Sequence, residues 1–581
     1  MLSPIANIIG LAAPPTPQQS QLRRDWKSAF ATQPSEFANV AATLISGKLP
    51  ASLRGTLYKN GPARFERGGT EYAHWLDGDG YLTALTLSDS GAKWSGRYIA
   101  TDVYEQEDAS DEIKMRTTFG TQKPGGILAN VMDIKLKSPA NTNVLAVGSS
   151  GPLLALWEAG PPFAVDRASL QCTGPSDLGG RLRLAAGHGA LPGTTGMEPV
   201  DRLLESVGLL TDACSAHPRE DADRKTTVAW SWRQRLVGEP AIEVALHSLP
   251  HGHDPTTPPS DPASSFAAAA PVASTLQGVA FAPHDMALSA QFALFVASPT
   301  RVDILPFIAG LIGPAQCTVF DEVRTLAEDG TSHIHLVDRT GGGGDTGDAV
   351  KVAIGAPYHP VHCANAWDGV AAAGTVTLLA SCWPPDAVRR LARSKSSLLG
   401  SWEDLRDGDF TDVPITNLVR FVVDVSSRTV VEHTILAGGC QLDHPKVHPQ
   451  WSAAETRFVF GTLGRRDNGG VEDATPAPPQ SFGCVDVAAD GGKGLLIDAW
   501  HAGERRLVDE ATVVPMAADV EGDERAVWLV APIFDGESRQ TSYVVLDGRR
   551  LSDGPVCELA LPAGIFIPWA LHGTWVGGLA S

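Results

Sequence analysis

The feature that most constrains the fold is a series of short apolar runs that continues along nearly the whole chain. Segments such as GTLYKNG, TNVLAVG, TTVAWSWR, FALFVAS, TVTLLASCW and SYVVLDG are rich in β-branched and aromatic residues, and Gly, Pro, Asp or Asn separates them. The 581 residues include 59 glycines and 42 prolines, so turns are frequent and long helical patterns are scarce. Many short strands without a dividing linker indicate an all-β fold, either a propeller or a large array of sandwiches. No repeat is visible in the sequence, so the repeating units of such a fold would have diverged.

The charge and the cysteines argue against several classes of function. The formal net charge is −20, and an acidic surface lacks the basic footprint that binding to nucleic acid or electrostatic docking to anionic lipid requires. The eight cysteines are scattered and form no C-x-x-C pair, which is typical of reduced thiols. We therefore expect a protein of the cytoplasm or plastid stroma that is not secreted and has no nucleic-acid partner.

The chain is predicted to form one domain after a short arm. Its start, MLSPIANIIGLAAPP, is apolar but has no positive leading region, so it makes a poor signal peptide. We expect residues 1–24 to be an arm, either disordered or a trimmed targeting segment, and residues 25–581 to be a single domain. Within the domain, PVDRLLESVGLL predicts a short helix and TGGGGDTGDA a flexible tip. Loop insertions are predicted near residues 185–213, 251–274, 340–349 and 465–480.

One apolar segment, VDILPFIAGLIG at residues 302–313, allows two interpretations. It is either buried core or an exposed patch that dips into a membrane or rims a tunnel. No run reaches the roughly 18 apolar residues of a spanning helix, so any membrane contact would be peripheral. The residues that would make this contact are Ile304, Leu305, Phe307, Ile308 and Leu311.

The histidines do not follow the common zinc spacings, because H-E-x-x-H is absent. The pairs HGH and HIH are predicted to lie on solvated surface. Four others stand in more distinctive contexts, each beside a strand-like run: His217 in SAHPRED, His284 in PHDMALS, His362 in HCANAWDG and His572 in LHGTWV. Taken singly, each is more often a structural residue. A propeller could bring them together, because the inner strand of every blade faces one axis, and imidazoles suit Fe, Cu, Ni or Zn.

The contexts of these histidines, taken with other motifs, resemble the carotenoid cleavage oxygenase family and most of all its cyanobacterial, apocarotenoid-cleaving members. The resemblance extends from about residue 25 to residue 577. The motifs that carry it, in chain order, are LRGTLYKNGPARF, HWLDGDGYLTAL, ANTNV, LLALWEAGPP, SAHPRED, PHDMALS, HCANAWDG, EATVVP and LHGTWV.

The resemblance implies a seven-bladed β-propeller with a helical cap over the face that contains the iron. It implies one Fe(II) per chain, held by His217, His284, His362 and His572, with O₂ as co-substrate. Three glutamates hydrogen-bond three of the histidines in the family. Here Glu158 and Glu510 match two of them, and Asp443 in LDHPK stands in a family E-F-P context, one methylene shorter. Either the backbone closes in at Asp443 or a water bridges the gap.

The resemblance also implies a substrate pocket. Thr142 matches a family threonine that faces a vacant position on the iron, and Trp157 is expected to line the tunnel. Ala282 and Val361 occupy positions where cleaving relatives often carry Phe, so we expect a wider or differently shaped cavity.

The function expected from the resemblance is oxidative cleavage of one conjugated C=C bond in an apolar polyene, a carotenoid or apocarotenoid, to give two aldehydes. The protein is expected to act as a monomer. Alternatives are cleavage of stilbene-type phenylpropanoids and a retinoid isomerase activity on the same fold. The most distant alternative is an iron-free propeller that binds a partner.

Overall fold

A computed structural model describes residues 17–148, 151–185, 189–251, 270–341, 343–369, 374–394, 413–464, 478–516 and 522–577. The chain is mostly β, with 44% strand and 14% helix. Residues 1–16 of the expected arm and most of the insertions expected near 251–274 and 465–480 lie outside the described residues. Within the described ranges, no helix combines the length and the apolar character needed to cross a membrane.

The strands are short and follow one another along the chain. The first half comprises β1 Phe37–Gly47, β2 Gly55–Arg64, β3 Glu66–Arg67, β4 Thr70–Glu71, β5 Asp79–Ser88, β6 Gly91–Tyr98, β7 Asn143–Ala146, β8 Leu153–Leu156, β9 Phe163–Val165, β10 Cys172–Pro175, β11 Leu191–Thr194, β12 Leu210–Thr211, β13 Ala213–Cys214, β14 Arg219–Asp221, β15 Thr226–Arg235, β16 Ala241–Pro250, β17 Val272–Gln277, β18 Ala287–Leu288 and β19 Phe292–Ala297. The second half comprises β20 Thr300–Val302, β21 Thr318–Phe320, β22 His333–Asp338, β23 Gly344–Asp348, β24 Val350–Ala353, β25 His359–Asp368, β26 Thr375–Trp383, β27 Asn417–Asp424, β28 Thr429–Ile435, β29 Asp443–Lys446, β30 Phe458–Leu463, β31 Ser481–Asp486, β32 Leu495–His501, β33 Arg506–Val508, β34 Thr512–Pro515, β35 Val527–Asp535, β36 Gln540–Asp547, β37 Pro555–Ala560 and β38 Gly573–Gly577.

The helices lie in the connections between strands. They are α1 Pro17–Ser28, α2 Asp102–Ser110, α3 Gly126–Asn130, α4 Glu198–Ser206, α5 Leu305–Ile308, α6 Glu322–Leu326, α7 Pro385–Ser394 and α8 Ala489–Gly492.

The strands form sheets in which each strand pairs mainly with the next one along the chain. Three four-stranded sheets have the orders β10-β9-β8-β7, β25-β26-β27-β28 and β29-β30-β31-β32, and a fourth has the order β18-β19-β22-β24. Within them the described pairs are antiparallel, as expected for strands joined by short turns. An eight-stranded sheet is built around β15, β16 and β17.

The two ends of the chain meet in one ten-stranded sheet. Its order is β33-β35-β36-β37-β1-β6-β5-β2-β38, with β34 paired to β35. The last strand lies against β2 in antiparallel register, with Gly573 opposite Lys59 and Gly577 opposite Gly55. Residues that are more than 500 positions apart are therefore neighbours, as in the backbone hydrogen bond from Leu571 to Asn60 (3.1 Å).

The hydrophobic core lies between successive sheets. Leu294 and Ile334 of one sheet pack in the same cluster as Leu378 and Phe421 of the next, and all four are fully buried. Each such side chain contributes roughly 1.5–3 kcal/mol by leaving water. Strand β19, FALFVA, is buried at every position, whereas β28, TVVEHTI, alternates between exposed and half-buried residues. The outer strands thus show the period-2 alternation of a half-buried sheet, and the inner ones do not.

Three expectations about segments change in the structure. Residues 17–24 of the expected arm belong to helix α1, which continues to Ser28, and Leu22 and Trp26 of this helix are buried in a cluster with Phe534. The predicted flexible tip instead contains β23, which pairs in parallel with β17 because both edges offer unpaired backbone groups. The insertion expected near 185–213 adds β11, β12 and β13 to the eight-stranded sheet, and α4 lies where a short helix is predicted.

Candidate metal centre

The four histidines lie on or next to strands of four different sheets. His217 lies between β13 and β14, His284 three residues before β18, His362 on β25 and His572 directly before β38. Each of these strands is an edge strand of its sheet or pairs at its edge. His217, His362 and His572 are buried, and a buried imidazole needs a partner for its polar atoms.

The structure brings these four rings together. The ring centroid of His217 lies 4.2 Å from that of His284 and 4.7 Å from that of His572. His362 lies 5.3 Å from His284 and 5.1 Å from His572. Ligand nitrogens of His217, His362 and His572 fall within 4.8 Å of one another, which is a spacing that could hold a metal ion.

Each of the three predicted carboxylates lies beside a histidine. The Nδ1 of His572 donates to Glu510 Oε1 at 2.9 Å, and the Nδ1 of His284 lies 3.4 Å from Glu158 Oε2. The Nδ1 of His362 donates to Asp443 Oδ1 at 2.7 Å. Hydrogen bonds of this kind fix the tautomer and leave Nε2 for a metal. The shorter carboxylate at Asp443 therefore contacts His362 directly.

These contacts shift the pKa values of the carboxyl groups. Burial alone would raise the pKa of Glu158, but His284 and His217 outweigh it and lower the pKa to about 2. Burial is likewise outweighed at Asp443 by His362 and at Glu510 by Lys446 and His572, so the pKa of both groups is lowered. The carboxylates are thus ionised at neutral pH. For His217 and His572, burial is the largest cause and lowers the pKa, which favours the neutral ring that metal ligation requires.

Two lysines lie beside Glu510. Lys446 Nζ is 2.6 Å from Glu510 Oε1, and Lys59 Nζ lies 3.9 Å from Glu510 Oε2 and 3.3 Å from Asp509 Oδ1. These ammonium groups offset part of the negative charge of the carboxylates next to the imidazoles.

Among the described residues, three buried polar atoms of the cluster also lack a regular hydrogen bond. His217 Nε2 and Glu158 Oε1 lie 3.3 Å apart without hydrogen-bond geometry, and Glu510 Oε2 lies 3.9 Å from Lys59 Nζ. Buried polar atoms that are left unsatisfied cost about 1–3 kcal/mol each. The donor set therefore fits a metal ion.

Some side chains of the cluster keep accessible surface. The side chain of His284 keeps 37% of its surface accessible, and those of Glu158 and Asp443 keep 30% and 26%.

The predicted pocket residues lie around this cluster. Thr142 is buried, and its carbonyl accepts a hydrogen bond from the backbone N–H of His572 (3.2 Å). Trp157, next to Glu158, is also buried. Ala282 is half-buried and packs against the cluster that contains Trp230 and Phe295. Val361 is half-buried on β25, beside His362.

A fifth imidazole, that of His444, was not singled out from the sequence. It is buried next to Asp443, and its centroid lies 5.0 Å from that of His362 and 5.7 Å from that of His572. Its Nδ1 pairs with the hydroxyl of Thr462 at 3.2 Å, and burial lowers its pKa to about 4. The signal that could have identified it is its place directly after Asp443 in LDHPK.

Other histidines lie outside the cluster. His74 caps a 3₁₀ turn, where its Nδ1 accepts from the N–H of Leu76 at 3.1 Å. His335 of the HIH pair is fully buried on β22, so its predicted surface position is wrong. In the HGH pair, His251 Nε2 lies 2.6 Å from Glu220 Oε2. The second histidine of that pair, His253, lies outside the described residues.

The apolar segment 302–313 is only partly exposed. Ile304, Leu305 and Leu311 are exposed, and Leu305 keeps 70% of its surface. Phe307 is buried with the Arg116 guanidinium 4.3 Å from its ring, which corrects its predicted membrane contact, and Ile308 is half-buried. α5 is only four residues long, so its sequence could not indicate which side faces inward. Next to it, α3 adds Leu128, which is 92% exposed.

The comparisons with known proteins decide the family. The model of the retinal pigment epithelial membrane protein family (RPE65) matches residues 30–577. The chain belongs to this family, the RPE65/carotenoid oxygenase family. The apocarotenoid-15,15′-oxygenase of Synechocystis sp. is 27% identical over 569 residues, which cover 97% of this chain and 99% of the relative. The chloroplastic carotenoid cleavage dioxygenase 7 of Arabidopsis thaliana is 22% identical, with 95% and 90% covered.

The fold agrees with this assignment. The crystal structure of the cobalt-substituted Synechocystis enzyme is 25% identical and superposes with a TM-score of 0.76 over 96% of this chain and 99% of that one. The named relatives are dioxygenases, and this chain is an enzyme of the same class.

Proposed function

We propose that the protein is a non-haem Fe(II) dioxygenase that cleaves one conjugated C=C bond of an apocarotenoid with O₂, giving two aldehydes. The observation that carries the proposal is the cluster of four imidazoles, with carboxylates at three of their Nδ1 atoms. His217, His284, His362 and His572 would hold one iron per chain. Imidazoles suit ferrous iron, and the carboxylates beside them would offset part of its charge.

When bound, the iron would supply the site at which O₂ is activated beside the alkene. Each atom of O₂ becomes the oxygen of one carbonyl product, so the reaction balances without a proton from the protein. The tasks of the chain are to hold the imidazoles in place, to orient the polyene and to exclude water. Glu158, Asp443 and Glu510 would perform the first task through the Nδ1 atoms. Thr142 and Trp157 would limit access beside them.

The substrate class is inferred from the residues expected to line the pocket. Ala282 and Val361 are small and apolar, so they leave room for a long apolar chain and offer no side-chain hydrogen bond themselves. This supports a polyene over a stilbene. The isomerase alternative would yield one product of unchanged mass. The chain supplies every residue of the cluster by itself, which supports a monomer.

We propose in addition that the sheets consist of seven groups of four neighbouring strands, and that these groups form seven blades around the histidine cluster. The helices that connect the strands would form the cap. These groups begin at β2, β7, β15, β18, β25, β29 and β34.

None of the eight cysteines, all of which lie in described ranges, forms a disulfide. This supports a reducing compartment such as the cytoplasm or the plastid stroma.

The exposed apolar patch supports peripheral contact with a membrane that stores the substrate. Ile127, Leu128 and Met132 of the α3 region adjoin segment 302–313 through the hydrogen bond from Met132 N to Ile308 O (2.8 Å). Ile304, Leu305 and Leu311 continue the patch. We expect a Leu128→Glu, Leu305→Glu double variant to lose sedimentation with phosphatidylcholine vesicles. Val431→Glu, on the exposed face of β28, should sediment like the wild type.

The test of the function uses protein purified without oxygen and loaded with Fe(II). A β-apo-8′-carotenal is added, then O₂, and absorbance and product masses are followed. Loss of the polyene band with two shorter aldehydes supports the proposal. A single isomeric product would indicate the isomerase, and cleavage of resveratrol but not of the apocarotenal would indicate the stilbene alternative. If the protein binds no iron, the result would favour the alternative of an iron-free propeller that binds a partner.

A further inference from the structure

We infer that Arg219 and Asp285 form a positioning ion pair that ties together three of the four histidine-bearing segments. The inference rests on the proposed metal site and goes beyond it, because neither residue is one of the histidines or of the three carboxylates paired with them.

The position of the pair in the sequence is the first step. Arg219 lies two residues after His217, and Asp285 directly follows His284. The guanidinium Nη2 of Arg219 donates to Asp285 Oδ2, and its Nε donates to the carbonyl of Met286 at 2.7 Å. One side chain from β14 is thus held by two groups of the loop that carries His284.

Asp285 extends the link to the third segment. Its Oδ2 also accepts from the backbone N–H of Cys363, the residue after His362, at 2.7 Å. Its Oδ1 accepts from the N–H of Met286 at 2.6 Å. A single carboxylate therefore joins three loops or strands that belong to three sheets. Because it is 3% exposed, any change in its position is transmitted to packed backbone rather than absorbed by solvent.

The pair also lies next to the histidine that lacks a carboxylate of its own at Nδ1. His284, His362 and His572 each direct Nδ1 toward Glu158, Asp443 or Glu510. The Nδ1 of His217 instead faces Asp285 Oδ2 at 4.0 Å. At this distance the carboxylate acts on the ring through its charge. It favours the orientation that turns Nε2 toward the other imidazoles and toward Glu158 Oε1, which lies 3.3 Å away.

The pair should therefore set the affinity and geometry of the metal site without touching the metal. Replacement of groups that orient metal ligands typically lowers metal affinity by about 10- to 100-fold. We expect an effect of that size for Asp285→Asn, which keeps the shape but loses the charge and the ion pair. Arg219→Lys keeps the charge but loses the bond to Met286 O, and we expect a smaller decrease.

The chain offers a matched control. Arg339 and Asp221 form another buried ion pair, 4% and 3% exposed, and Asp221 lies on the same strand β14 as Arg219. Their hydrogen bonds reach Arg224, Ser289 and Gln291, none of which is adjacent to a histidine of the cluster. Asp221→Asn should lower the unfolding temperature but leave the metal site unchanged.

The experiment measures Co²⁺ affinity by competition with a chromophoric chelator and records the visible spectrum of the Co²⁺ protein. If wild type binds no Co²⁺, the proposed metal site fails and the inference fails with it. If wild type binds one Co²⁺ per chain, the inference predicts weaker binding and a shifted spectrum for Asp285→Asn and Arg219→Lys, and wild-type values for Asp221→Asn.

Two results would overturn the inference while leaving the metal site intact. One is wild-type affinity and spectrum in the Asp285 variant. The other is an equal loss in Asp221→Asn, since that would indicate a general effect of stability. If Asp285→Asn does not fold, Arg219→Lys decides the question by the same two readouts.

Discussion

Asp443 is the residue at which this chain departs from the carboxylate pattern of its family, and its contact with His362 is direct at 2.7 Å. The strand β29 brings the shorter side chain within reach, so a longer one has no gap to fill. We expect Asp443→Asn to lower metal affinity by about 10- to 100-fold, because the amide no longer stabilises the His362 tautomer by charge. Chelator competition measures this.

The matching variant Asp443→Glu tests the geometry. If the backbone is adapted to Asp, the extra methylene crowds His362, and affinity stays at or below the wild-type value. A Glu variant that binds metal more tightly than wild type would contradict the direct contact.

Lys59 is a second residue at which burial determines the contribution to stability. It is 1% exposed and donates to the carbonyls of Glu510 (3.0 Å) and Leu571 (3.2 Å), beside the carboxylate of Asp509. Lys59→Met leaves the buried carboxylate of Asp509 without its cation, which typically costs about 3–5 kcal/mol. Urea unfolding of the metal-free protein should reveal this loss. Lys93→Met, at an exposed position of β6 in the same sheet, should change the free energy of unfolding by less than about 0.5 kcal/mol.

At the level of elements, strand β38 fixes His572 by lying very close to β2. A Cβ on Gly573 would stand 2.5 Å from the carbonyl oxygen of Tyr58 and 2.6 Å from Cγ of Lys59. Gly573→Ala must therefore displace β38 or β2, and we expect weaker metal binding together with a loss of about 1–3 kcal/mol of stability.

The control lies on the same strand. A Cβ on Gly577 would meet no atom within 4 Å, so Gly577→Ala should leave both quantities unchanged. Metal titration and urea unfolding of the two variants separate the effect of crowding at His572 from a general effect of glycine replacement. Equal behaviour of the two variants would contradict the account of β38.

The sequence predicted the features that are local to one element, but not the contacts between distant elements. The strand pattern and the contexts of His217, His284, His362 and His572 are local features, so they predicted the β class and the residues that meet. The position of Lys59 beside Glu510 was not predictable, because the two residues are 451 positions apart and only the ten-stranded sheet that holds β2 and β34 brings them together. The same holds for Phe307, whose cover by Arg116 depends on a residue far along the chain.

At the level of the whole molecule, the centre links metal binding to stability. Without a metal, polar atoms of His217, Glu158 and Glu510 stay buried without a regular hydrogen bond. A ligand that binds only the folded state stabilises that state by about 2.7 kcal/mol when the free ligand concentration is 100 times its Kd. We expect chelation to lower the unfolding temperature and re-addition of Fe(II) or Co²⁺ to restore it, measured by calorimetry. An unfolding temperature that is unaffected by chelation of a protein with bound metal would contradict this coupling.

The measurement that tests the central claim most directly is anaerobic Fe(II) titration of the wild type and of four single variants, His217→Ala, His284→Ala, His362→Ala and His572→Ala. The account predicts one Fe(II) per chain in the wild type and strongly weakened binding in every variant, with each variant still folded by circular dichroism. If any folded variant binds Fe(II) as tightly as the wild type, that histidine is not a ligand and the four-histidine centre is wrong.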